Sequence, residues 1–105
     1  MVTDILTASG LPFKESRFMD PPGVTYAVYM DDVTTDGPDG LPLIFTHDIT
    51  VELYEPIPDP VSEIAMEKAI TEAGLQYTKQ ARYWLDSTRR YQVIYEFSYI
   101  EKRRA

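Results

Sequence analysis

The chain carries one complete helical pattern, at 60–73, between segments whose apolar residues alternate at the period of strands. Projected at about 100° per residue, Ser62, Ala65, Met66, Ala69, Ile70 and Ala73 share one face, and Glu63, Glu67, Lys68, Thr71 and Glu72 cover the other. Ile64 fits neither group. Asp59 offers an N-cap, Pro60 suits the first helical position and Gly74 offers the left-handed turn that ends a helix. A face built largely of alanine lets a helix lie close to a flat partner, so the pattern predicts a helix packed on a sheet.

Residues 2–9 predict two further helical turns, with Val2, Ile5 and Leu6 on one side and Gly10 as terminator. Leu11-Pro12 forces an extended path into a short edge strand at 13–18. After the turn Asp20-Pro21-Pro22-Gly23, residues 24–30 alternate as a strand with Val24, Tyr26, Val28 and Met30 on one face. The segment 31–43 has no apolar period and is punctuated by Gly37-Pro38 and Gly40, which predicts a long acidic loop. In the strand at 44–55, Phe45, Ile49, Val51 and Leu53 face one way, His47 interrupts their series, and Pro56 and Pro58 end the pairing. Residues 76–85 predict a strand with Tyr77, Ala81, Tyr83 and Leu85 inward and Trp84 on the polar side. A turn at 86–89 then forms a hairpin with the strand at 90–100, whose Tyr91, Val93, Tyr95, Phe97 and Tyr99 share a face. Residues 101–105 read as a frayed basic tail. The expected fold is one α+β domain over 1–105: a single mostly antiparallel sheet of four or five strands, the long helix on one face, and a short N-terminal helix.

Composition narrows this picture. At 105 residues and 44% hydrophobic the chain supports one modest core, and the absence of cysteine removes disulfides, thiolate metal sites and cysteine nucleophiles. No stretch has the length of a membrane span and the first residues lack a basic signal start, so cytoplasmic synthesis is the default. The net charge of -7 is uneven: residues 1–75 hold 14 acidic and 3 basic side chains, residues 76–105 hold 3 and 7. Such asymmetry is either cancelled inside the fold or used to attract the opposite-signed edge of another copy. The acidic excess disfavours a nucleic-acid footprint.

Candidate chemistry is sparse. Asp31, Asp32, Asp36 and Asp39 invite a calcium reading, but their spacing is not that of an EF-hand and a solvated acidic loop accounts for them better. His47 is the only histidine and the only base available to a nucleophilic triad, yet no Gly-x-Ser-x-Gly elbow accompanies it. Asp48, Glu52 and Glu96 alternate on solvent-facing sides of strands. The pattern offers no phosphate-cradling loop, metal-ligand cluster or dinucleotide fingerprint, hence no expected cofactor and no expected catalysis. The period-two tyrosines of 90–100 read as core rather than as base-stacking platforms, whereas Trp84, Tyr54 and Ile94 fall on the opposite side, where exposed aromatics suit a contact surface.

The order Leu11-Pro12-Phe13, Tyr26-Ala27-Val28-Tyr29, Ile49-Thr50-Val51-Glu52-Leu53-Tyr54 before a helix, Gly74-Leu75-Gln76-Tyr77 and Tyr91-Gln92-Val93-Ile94-Tyr95-Glu96 resembles small structural proteins of long-tailed phages and prophages, the tail terminator or tail completion group of head-to-tail connector proteins. The resemblance spans about 11–100 and rests on the pattern of strands and helix. It implies an α/β subunit of a homo-oligomeric ring, commonly a hexamer, that caps the tail tube and meets a head-closure or connector protein, in the virion neck after assembly in the host cytoplasm. It implies no sequence-specific nucleic-acid binding and no membrane. Such proteins vary at 34–43, so it assigns that segment no role. An acidic body with a basic C-terminal hairpin fits a head-to-tail ring contact: Arg82, Arg89 and Arg90 are expected to face a neighbour's carboxylates, Trp84 to lie at the contact, and Asp31, Asp32, Asp36 and Asp39 to project toward the lumen or a partner ring. The competing expectations are a small ligand-sensing or regulatory α+β domain with a pocket between helix and sheet, and a minor hydrolase using Asp48 or His47.

Overall fold

The computed structural model describes residues 1–37 and 43–103. Asp39, from the expected acidic loop, and Arg104 and Ala105, from the expected tail, lie outside the described residues. The elements run α1 (Val2–Ser9), β1 (Phe13–Glu15), β2 (Tyr26–Asp36), β3 (Ile44–Glu55), α2 (Pro60–Glu72), β4 (Thr78–Lys79), β5 (Tyr83–Leu85) and β6 (Arg90–Lys102). They form a mixed α+β fold with one 6-stranded sheet in the order β1-β2-β3-β6-β4, with β5 also on β6. Every pairing is antiparallel except β1 with β2.

The ends of α2 form as its sequence dictates. Asp59 accepts the Ser62 N–H at 3.1 Å and the Ser62 hydroxyl at 2.7 Å, while the Thr25 hydroxyl donates to its second oxygen at 2.6 Å. At the other end Gly74, at φ 82, donates to the Thr71 carbonyl, and Leu75 donates to the Ile70 carbonyl at 3.3 Å and packs on the core. This is the double closure that a left-handed glycine permits. The inward stripe is Glu63, Met66, Ala69 and Ile70. Met66 and Ile70 are fully enclosed, and each contributes about 2 kcal/mol by leaving water. The alanine side is turned toward the N-terminal helix: Ala69 and Ala73 line a groove with Ile5 and Ala8 of α1. Ile64 is exposed.

Three features differ from the sequence-based expectation. Residues 31–36, expected in the acidic loop, continue β2, pairing from Asp31↔Ile49 to Asp36↔Ile44. The β-branched run Val33-Thr34-Thr35 suits a strand, and an edge strand tolerates carboxylates because its side chains stay in water. The expected strand at 76–85 is split in two, which raises the strand count to six. β4 pairs Thr78↔Glu96 whereas β5 pairs Tyr83↔Gln92, so residues 80–82 oppose one fewer residue of β6. That bulge reverses the alternation: Trp84, level with Tyr91, lies on the helix side, and Tyr83 and Leu85 lie on the outer side. Finally, Glu101 and Lys102 of the expected frayed tail belong to β6, and the Arg103 N–H donates to the Leu43 carbonyl at 2.9 Å.

On the helix side Ala27, Ile49, Val51, Leu53, Val93, Tyr95 and Phe97 meet Val2, Ile5 and Leu6 of α1 and the stripe of α2. The Tyr26, Val28 and Met30 face of β2 lies on the outer side, and Val24 is exposed in the bend before the strand. Tyr26 is stacked with Tyr54 and met edge-on by Phe18 from the loop after β1. Past His47 and Tyr99 the last three residues of β2 and β6 and the first three of β3 form a three-stranded arm of about 10 Å, and the molecule is 50 Å long and 27 Å across.

Replacing the cap in Asp59→Ala is expected to lower stability by about 1–2 kcal/mol at neutral pH in urea unfolding. The hydrogen bonds from Thr25 and Ser62 hold the Asp59 carboxyl below its ordinary range. Its contribution is therefore present above the unfolded-state pKa and lost as pH falls through the folded-state value, so wild type and variant converge in acid. An unchanged midpoint at neutral pH contradicts the cap.

Candidate functional site

Two clusters of ionisable side chains occupy the helix side of the sheet, one at each end of β3. The register that sets Val33 opposite His47 and His47 opposite Tyr99 brings Asp31 and Glu101 diagonally to the imidazole from the two neighbouring strands. His47 Nδ1 lies 2.9 Å from Asp31 Oδ2, Nε2 lies 2.9 Å from Glu101 Oε1, and the ring stacks on Tyr99 at 4.5 Å. Burial pulls the His47 pKa down, but the hydrogen bonds to Glu101 and Asp31 outweigh it and leave the pKa raised. Arg103 and His47 together hold the Glu101 carboxyl down at about 2. Both ring nitrogens meet carboxylates rather than a hydroxyl, so His47 acts as a cationic tie across β2, β3 and β6.

The second cluster lies where β3 enters α2. Glu55 is fully buried at an inward position of β3, and Glu63 is nearly so on the stripe of Met66 and Ile70. Arg82, in the bulge between β4 and β5, donates through Nε to Glu55 Oε1 at 3.2 Å and to Glu63 Oε2 at 2.9 Å, and through a second nitrogen to Glu63 at 2.7 Å. Lys79 bridges Glu63 at 2.9 Å and Glu67 at 2.7 Å, and the Tyr95 hydroxyl donates to Glu67 at 2.7 Å. Burial and the adjoining Glu63 raise the Glu55 pKa to about 7. Burial also pushes Glu63 up, but its bonds with Glu55, Lys79 and Arg82 prevail and leave it lowered. Two carboxyl groups hydrogen-bond only with a proton between them, and burial assigns that proton to Glu55. Its Oε2 is buried without a hydrogen-bond partner.

The interface candidates are dispersed. Arg82 is committed to Glu55 and Glu63. Arg90 donates to the Pro22 carbonyl at 2.7 Å and the Val24 carbonyl at 3.1 Å, lies over the Tyr26 ring, and so ties the loop after β1 across the outer face. Arg89 is exposed in the turn, at φ 53. Trp84 is half exposed, packed edge-on to Tyr91 and bonded to Asp86. Asp31 is tied to His47, Asp32 is exposed, Asp36 accepts from the Gly37 N–H at 2.8 Å, and Asp39 lies outside the described residues. For Lys79 and Arg82 the charge asymmetry is cancelled within the chain, whereas Arg103 pairs with Glu101 of its own segment.

Tyr54 and Ile94 do occupy the outer face, where Tyr54 bonds Glu52 and accepts from Gln92, and its pKa is pushed up to about 12, chiefly by burial. Asp48 and Glu96 line an open depression of about 430 Å³ there, and the Ser98 hydroxyl donates to Asp48 at 2.6 Å. Among the described residues no group of three or more acidic, histidine or cysteine side chains is arranged to hold a metal ion, and no helix is long and apolar enough to cross a membrane. Sequence reasoning missed Glu55 and Glu63 although both carry a signal: Glu55 continues the odd-numbered inward series of β3, and Glu63 stands three and seven residues before Met66 and Ile70. No protein-family model and no curated protein sequence matches the chain.

Glu55→Gln imitates the protonated acid, keeping an acceptor for Asp59 and Arg82 and a donor for Glu63. Because the Glu55 pKa is raised, its native state loses stability as the unfolded chain ionises, from about pH 4.5 until pH passes about 7. The variant is expected to flatten that fall and to exceed wild type at pH 8 by on the order of 2 kcal/mol in urea unfolding. A variant less stable than wild type at pH 8 contradicts the protonated Glu55.

Proposed function

We propose that this chain is a structural subunit of a phage or prophage virion, similar to tail terminator proteins, which associates with its own copies into a ring that caps the tail tube and meets a head-closure or connector protein. The observation that carries this reading is the arm. Its strands extend past both helices and expose Val33, Ile44 and Ile100, apolar surface that a lone subunit leaves in water and a neighbouring copy can cover. The ionisable clusters tie elements of one chain together, which suits a part that works by shape without catalysis or cofactor. The net charge of -7 suits a lumen that passes DNA without holding it and favours neither sequence-specific DNA binding nor a membrane surface. The resemblance contributes the hexameric copy number and the place in the virion neck.

A ligand-sensing domain is the second reading. One observation favours it, the open groove of about 410 Å³ between α1 and α2, lined by Ile5, Ala8, Ala69 and Ala73. This groove lies between the helices rather than between helix and sheet.

Negative-stain electron microscopy of the purified protein at millimolar subunit concentration, alone and mixed with assembled tail tubes, separates the two. Rings of about six copies, free or seated on tube ends, are expected. Monomers throughout, with bare tube ends, contradict the ring.

A further inference from the structure

The arm has two open edges whose backbone groups match. In β2, the Ala27 N–H donates to the Pro12 carbonyl and the Tyr29 carbonyl accepts from the Ser16 N–H, so odd-numbered residues turn their groups away from β3. β1 stops at Tyr29. Beyond it Asp31, Val33 and Thr35 present N–H and C=O to an open edge. In β6, Ile94 accepts from the Gln80 N–H, so even-numbered residues turn away from β3. β4 reaches only to Glu96, which leaves Ser98, Ile100 and Lys102 facing the other edge. Among the described residues no strand pairs with either stretch, and folded proteins ordinarily cover or blunt edges of this length.

We infer that copies of this chain join by strand addition, the β2 edge of one arm pairing in parallel with the β6 edge of the next. This deepens the ring reading above and rests on it. β2 and β6 run the same way because both are antiparallel to β3, so copies related by rotation about a ring axis bring the two edges together as parallel strands. In a parallel ladder each bonding residue sits beside a residue that turns away and bonds to the two flanking it. The fold has this offset already: through β3, Asp31 is level with Phe97, Val33 with Tyr99 and Thr35 with Glu101. A neighbour added without a shift along the strand places Val33 beside Tyr99, bonded to Ser98 and Ile100.

Side chains select the same seam. The same levels set Asp36 beside Lys102, opposite charges, and Thr34 beside Ile100 on the outer side. Pairing β2 with β2 of another copy crowds Asp31, Asp32 and Asp36 against their equivalents, which disfavours a two-fold dimer. Two different edges make a heterologous contact, the kind that closes into a ring.

The test is sedimentation of Val33→Pro and Ile100→Pro, alone and mixed. Both N–H groups point out of the sheet, so proline removes no internal bond, and far-ultraviolet circular dichroism checks the fold. Each variant alone is expected to lose assembly and sediment as a monomer. Mixed, they are expected to give a 1:1 dimer and nothing larger, because one copy keeps its β6 edge and the other its β2 edge. Lys102→Asp, a surface change, is expected to weaken assembly, and the Asp36→Lys/Lys102→Asp double variant to restore it. Rings persisting in both proline variants, or no rescue by the charge swap, overturn the seam and leave the ring reading standing. A wild type that never assembles overturns the ring reading and the seam with it.

Discussion

The fold depends on β3 holding a partner on each side along its whole length. In unbroken register, its twelve residues Ile44 to Glu55 pair with β6 and the eleven from Ile44 to Tyr54 pair with β2. A slip of one residue in either ladder turns every inward side chain outward. Ile49, Val51 and Leu53 then leave the core, His47 leaves Asp31 and Glu101, and Glu55 leaves Arg82. The apolar centre and the ionic ends of β3 thus enforce one alignment.

Charge does different work at those two ends. At the α2 end, burying Glu55 and Glu63 costs several kcal/mol of hydration, which paired charges recover only when nearly every oxygen finds a donor. Arg82 and Lys79 fill that role for Glu63 and for Glu55 Oε1, the raised Glu55 pKa lessens the charge at its unpartnered Oε2, and the β4–β5 bulge brings the arginine to both carboxyl groups. At the arm end, the buried His47 sits between two carboxylates that remain partly open to solvent and ties three strands together. Arg90 performs a third task on the outer face by holding carbonyls of the loop after β1. Lys79 and Arg82 of the basic C-terminal segment thus neutralise carboxylates of the acidic body, and Arg90 fastens its loop, within the same chain.

Local signals were legible wherever one residue type has one job. Asp59, Pro60 and Gly74 marked the ends of α2, Gly10 ended α1, and strict alternation delimited β3 and β6. What escaped the sequence depends on neighbours distant along the chain. Asp31 to Asp36 read as loop because carboxylates and a following glycine hide the Val33-Thr34-Thr35 strand, which forms only once β3 supplies the ladder. The bulge at 80–82 has no signature of its own, since Gln80, Ala81 and Arg82 are ordinary strand-side residues, and so Trp84 was placed on the wrong face. Glu55 and Glu63 were legible by position, but a carboxylate is assigned to solvent until its partner in another strand is known. The two arm edges follow only from combining three registers.

In the proposed ring, the arm edges that are open in the single subunit are closed by neighbouring copies. Amide hydrogen exchange resolved by residue tests this most directly, because in β2 the N–H groups of Asp32, Thr34 and Asp36 turn to β3 while those of Asp31, Val33 and Thr35 turn out. The dilute subunit is predicted to protect the first set and expose the second, together with Ser98, Ile100 and Lys102 of β6, and the assembled particle to protect all of them. Uniform protection along β2 in the dilute subunit, or fast exchange at Val33 and Ile100 in the assembled particle, would contradict it.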